Sequence, residues 1–102
     1  MNFNHFIKLI DAVCKHPAVY SINRVEEIDI LINGYLFGTG DKETISDFMS
    51  KFNSFVVQKF DIGTGYNWVK LIRLNTGGDL HTIELFDILY NEFKATRSVM
   101  YH

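Results

Sequence analysis

The segment CKHPAVYS, residues 14–21, sets the chain's only cysteine and only proline on either side of His16. A thiol beside an imidazole could hold a metal or act as a nucleophile. A metal needs three or four ligands at set spacing, and a nucleophilic thiol needs a base held against it. Cys14 and His16 lie two apart, a separation that puts them on different sides of a helix. His5, His81 and His102 are scattered, with no His-x-x-x-His pair. No metal and no cofactor is therefore expected, and Cys14 reads as a small buried apolar residue.

Carboxylates are the other candidates for chemistry. They group at Glu26, Glu27 and Asp29, at Asp41, Glu43 and Asp47, and at Asp79, Glu84 and Asp87. General acid–base work needs two titratable groups brought together in a shielded site. These groups fall on the expected outer faces of helices, where carboxylates are solvated, and no serine sits in a nucleophile-elbow context. Two Gly-Thr-Gly triplets, 38–40 and 63–65, lack the further glycines and the preceding strand of a phosphate loop. They read as helix ends, where glycine tolerates positive φ. The expectation is a protein without enzyme activity.

The elements that would position these residues follow from periodicity. Phe3, Phe6, Ile7, Ile10, Val13 and Cys14 have the spacing of an amphipathic helix, capped by Asn2 and stopped near Lys15 because Pro17 disfavours helix at His16. Lys8, Asp11 and Lys15 take its opposite face. A second helix is expected to about Phe37, opened by a capping box of Asn23 and Glu26 with Ser21 as the rival cap. Its stripe of Val25, Ile28, Leu31, Ile32, Tyr35 and Leu36, widened by Ile30, predicts the central helix, and Gly34 within it predicts a close backbone approach. Asp41 should cap a third helix carrying Ile45, Phe48, Met49, Phe52, Phe55, Val56 and Phe60. A fourth carries Trp68, Val69, Leu71, Ile72 and Asn75 with Lys70 and Arg73 outward; a strand is the rival for WVKLIRL. Asp79 should cap a fifth, with Ile83, Phe86, Leu89, Tyr90 and Phe93 inward and Lys94 and Arg97 suited to its C-terminal dipole. Trp68 is expected in the core rather than at an interface, and the tail SVMYH is expected to fray.

These elements predict one compact all-α domain of about five helices over residues 1–102, a length sufficient for one core. A formal charge of -2 supplies no basic field for direct nucleic-acid binding. The longest apolar run, IDILINGYLFG, is interrupted by Asp29 and Asn33 and falls short of the ~20 residues of a membrane span. One cysteine excludes an internal disulfide, and the opening segment lacks a basic leader, so a cytoplasmic monomer is expected.

The order of landmarks resembles a family of small bacterial proteins: HPAVYS after the first helix, NGY in the second, a Phe-rich third, W-x-x-x-I, TGGD, then ELFDILYNEF. That family has K-R-P-x-M-Y near its N-terminus, G-W-x-x-x-I, and a GD…F…L…EF close. His16 stands where it usually has arginine, Val19 where it has methionine, and Ser21 where glycine is common. Members are immunity proteins, the cytoplasmic antidotes of polymorphic and contact-dependent growth inhibition toxins. The resemblance implies a non-enzymatic protein that neutralises a cognate toxin, such as a ribonuclease or other nuclease, in a 1:1 complex. Acidic side chains would stand where the nuclease expects phosphates, which makes Glu26, Glu27, Asp29, Asp79, Glu84 and Asp87 the candidate toxin-binding residues. The competing reading is a helical regulatory or adaptor module that binds a host protein or nucleic acid through Lys70 and Arg73 or through Lys8 and Lys15.

Overall fold

In the computed structural model, which describes residues 2–60, 63 and 65–96, the first amphipathic segment forms helix α1, Phe3–Lys15. Phe6, Ile10 and Val13 are its buried face. The backbone groups at its start are satisfied twice over. Asn2 accepts from the His5 N–H at 2.9 Å, and the Asp41 carboxylate, 38 residues away, accepts from the Phe3 N–H at 2.7 Å. Asp41 thus caps α1 and makes no side-chain cap to the helix it was expected to open. Past His16, Pro17–Tyr20 forms a 3-10 turn that ends at Ser21 in the left-handed region, φ 57° and ψ 32°. The KHPAVYS segment is a helix stop and a turn.

Four more helices follow: α2, Val25–Gly38; α3, Lys42–Lys59; α4, Trp68–Leu74; and α5, Asp79–Thr96. The WVKLIRL segment is helix, and no strand occurs among the described residues. Arg97 and the SVMYH tail lie outside those residues, as do Met1, Asp61, Ile62 and Thr64. The helices α3 and α5, 18 residues each, both pack on all the others; α2 packs on α3, α4 and α5 and meets α1 through the edge-on Phe6–Tyr35 pair, with ring centroids 5.4 Å apart. Burying Ile45, Phe48, Phe52 and Val56 from α3 against Ile83, Phe86, Leu89, Tyr90 and Phe93 from α5 builds nearly half of the core. Aromatic edges organise it. The ring centroids of Phe48 and Phe93 are 5.1 Å apart, those of Phe52 and Trp68 5.4 Å, both edge-on, a geometry worth ~0.5–1.5 kcal/mol beyond the area removed from water. Trp68 is 6 % exposed, a core residue as expected.

The α2 pattern resolves differently from its sequence reading. Val25, Ile28 and Ile32 are buried, whereas Ile30 is 69 % exposed and extends no core stripe. Outside its own helix no described residue approaches Gly34: a Cβ added there would meet nothing within 4 Å. The expected box of Asn23 and Glu26 does not form. Glu27 accepts from the Asn23 N–H at 2.6 Å, and the Val25 N–H is donated to the Thr82 hydroxyl of α5 at 2.9 Å. Thr82 is fully buried and also donates to the Asp79 carbonyl at 2.6 Å, so one hydroxyl ties the starts of α2 and α5 together. Among the described glycines, Gly63 and Gly65 have positive φ, at 68° and 76°, while Gly38 and Gly40 do not. Only the second triplet therefore needs glycine for its conformation.

Candidate functional site

The candidate carboxylates divide between the first turns of α2 and the outward side of α5. In the α2 group, Arg73 of α4 reaches across to Glu26 with its Nε and Nη2 at 2.9 and 2.7 Å, a bidentate clasp, and its Nη2 also meets Asp79 at 3.0 Å. One guanidinium therefore neutralises two of the six candidate carboxylates. Hydrogen bonds from Arg73 hold the Glu26 carboxyl below its ordinary range, against an opposing push from burial. Glu27 is engaged with the Asn23 backbone. Asp29 is half-buried and takes the Asn33 amide at 3.3 Å; burial pushes its carboxyl above the usual range. Asp79 is the first residue of α5, not its cap: the Thr82 N–H bonds to the Gly78 carbonyl at 3.1 Å instead.

The α5 group is different. Glu84 is exposed and has no ion-pair partner among the described residues. Leu80 and Ile88, one turn on either side of it along the same face, are 63 % and 56 % exposed. Neither is among the residues expected at a site, although their i, i+4, i+8 spacing with Glu84, offset from the buried stripe, carries the signal. Asp87, further round the helix, accepts the Asn91 amide at 2.7 Å. Its carboxylate shares a polar recess of about 270 Å³ with Asp11, Lys15, Asn91 and Lys94. There Lys94 bonds Asp11 and lies 4.5 Å from the centre of the Tyr90 ring.

Cys14 lies close to the Asp87 and Asp11 carboxylates. It is half-buried rather than buried, and burial, reinforced by the neighbouring Asp87 and Asp11 carboxylates, pushes its thiol up to about 12. A thiol held neutral in this way is a poor nucleophile and a poor metal ligand at neutral pH. Among the described residues no three His, Cys, Asp or Glu side chains converge as a metal would require. No described helix is long and apolar enough to cross a membrane.

The arrangement thus offers contact surfaces. The α2 carboxylates are held by neighbours in the chain, and the α5 face presents a free carboxylate in an apolar frame. No protein-family model, curated protein or solved structure matches the chain.

Proposed function

We propose that the chain is an immunity protein that binds and neutralises a cognate bacterial toxin, a nuclease, in the cytoplasm, with α5 as the principal contact. The observation that carries the choice of surface is Glu84 standing unpaired between exposed Leu80 and Ile88. Apolar neighbours that a partner can cover remove water from around a charged contact, which strengthens it and places it at the centre of an interface rather than its rim. Glu84 and Asp87 would occupy positions that substrate phosphates take on a basic catalytic surface, and would steer the approach of that surface. The immunity role itself rests on the family resemblance. Ser21 supports it: this residue holds the left-handed conformation that favours glycine, and glycine is common at that position in the family.

Neutralisation requires each chain to take up one toxin domain at nanomolar affinity or better, because residual free nuclease kills. Against the adaptor reading, Arg73 is occupied by Glu26 and Asp79, and Lys70 lies 5.8 Å from the centre of the Tyr66 ring, so this pair offers no open basic stripe. The test is to express the toxin domain encoded beside this chain's gene, with and without the chain. Survival only in its presence is expected. Equal killing in both cultures by every neighbouring toxin would end the immunity reading.

A further inference from the structure

The recess beside α5 holds more charge than the fold pairs. It is lined by Asp11 and Lys15 of α1 and by Asp87, Asn91 and Lys94 of α5: two anions, two cations and an amide. Lys94 bonds Asp11 and lies over the Tyr90 ring, so that pair is closed within the chain. Asp87 and Lys15 are left over. Neither has an ion-pair partner among the described residues, and they do not pair with each other. The Asp87 carboxylate accepts the Asn91 Nδ2 at 2.7 Å, and the Cys14 thiol near it is held uncharged. The same Nδ2 also donates to the Asp87 carbonyl at 2.8 Å, which fixes the amide and leaves its Oδ1 free to accept.

We propose that this recess binds a free α-amino acid with a small uncharged side chain. The ligand's ammonium donates to the Asp87 carboxylate and the Asn91 Oδ1, and its carboxylate, held on the same carbon, accepts from Lys15. Single charges are disfavoured. A bare anion placed against Lys15 meets Asp87, and a bare cation placed against Asp87 meets Lys15, whereas a zwitterion satisfies both at once. A peptide end carries only one of the two charges and is disfavoured for the same reason. The recess, about 270 Å³, falls just under the ~300–1,000 Å³ of pockets that enclose drug-sized ligands, which suits a ligand of this smaller size. The site is built from α1 and the C-terminal half of α5. It does not depend on the toxin reading, with which it shares Asp87 alone.

Titrating the full, isotope-labelled chain with L-alanine and following its amide resonances tests the site with no toxin present, so its failure and that of the toxin reading are distinguishable. The Asn91 side-chain amide and the backbone around Asp87 should shift saturably, at about millimolar affinity or tighter. Ethylamine and propionate, which each keep one of alanine's two charges, should bind at least about tenfold more weakly. In Lys15→Gln the advantage of L-alanine over ethylamine should vanish, and in Asp87→Asn its advantage over propionate should vanish, with both variants keeping the wild-type helical circular dichroism. An absence of saturable shifts at the recess with L-alanine would overturn the proposal. Ethylamine or propionate binding as tightly as L-alanine would overturn it as well and make the recess a site for a single charge. Shifts that persist unchanged in both variants would likewise overturn it, because they would arise from contacts elsewhere.

Discussion

The first turns of α2 and the outward side of α5 both carry clustered carboxylates, yet only one set is available to a partner. Glu26 is clasped by Arg73, which also takes Asp79; Glu27 holds the Asn23 N–H; and Asp29 is drawn partly into the fold. On α5, Glu84 faces solvent between Leu80 and Ile88. Acidic clusters that look equivalent along the chain thus differ in what they can do, because a charge bound within the fold contributes to architecture and a charge left outside it stays open to a partner.

The largest effect should come from the residue that joins the two regions. Thr82→Val keeps the side-chain shape but removes the hydroxyl that accepts from the Val25 N–H, leaving a buried donor unpaired. A loss of about 1–3 kcal/mol is expected by urea denaturation. A change within error would mean that water or another group caps α2 and that the two regions are independent.

A smaller effect should separate the α2 carboxylates by pH. The Glu26 carboxyl is depressed, so its contribution is fully present above its ordinary value of 4.5 and is lost as pH falls through its lower, folded value. The Asp29 carboxyl is raised, so its ionisation costs stability, and that cost disappears as pH falls back toward its ordinary value of 3.8. Thermal midpoints measured between neutrality and strong acid should therefore fall less steeply for Glu26→Gln than for the wild type, and more steeply for Asp29→Asn. Parallel curves for all three would show that neither group is held by the fold as described.

The smallest effect lies outside both regions. Ser21→Gly relieves a left-handed serine and should raise stability by about 0.5–1 kcal/mol, read from the same denaturation curves. A destabilised variant would show that the Ser21 side chain contributes more than its backbone conformation costs.

Much of this fold is legible in the sequence, for local reasons. The α1, α3 and α5 stripes alternate large apolar residues with polar ones at helical spacing, which fixes the inward faces, and Pro17 fixes the first stop. The α2 face is not legible in the same way. Ile28, Ile30, Leu31 and Ile32 are all apolar, so periodicity could not show that Ile30 points outward. The caps were missed because their partners are remote: Asp41 lies 38 residues from Phe3, Thr82 lies 57 from Val25, and Arg73 lies 47 from Glu26. Local rules chose Asp41 for the nearest helix and Glu26 for the nearest N–H, and tertiary contacts engaged both elsewhere. The candidate carboxylates were therefore legible as residues but could not be ranked as surfaces.

The proposed contact of α5 with a toxin is tested most directly by the association rate of the chain with its cognate toxin domain, measured against salt. Reversing Glu84 and Asp87 to lysine should slow association about 10–100-fold at low salt and flatten the salt dependence, with helical content retained because Glu84 is exposed and Asp87 only half-buried. The same reversal at Glu26 and Glu27 should instead lower the thermal midpoint and leave association much closer to wild type. If the α5 reversal leaves both rate and salt slope at wild-type values, α5 is not the toxin contact.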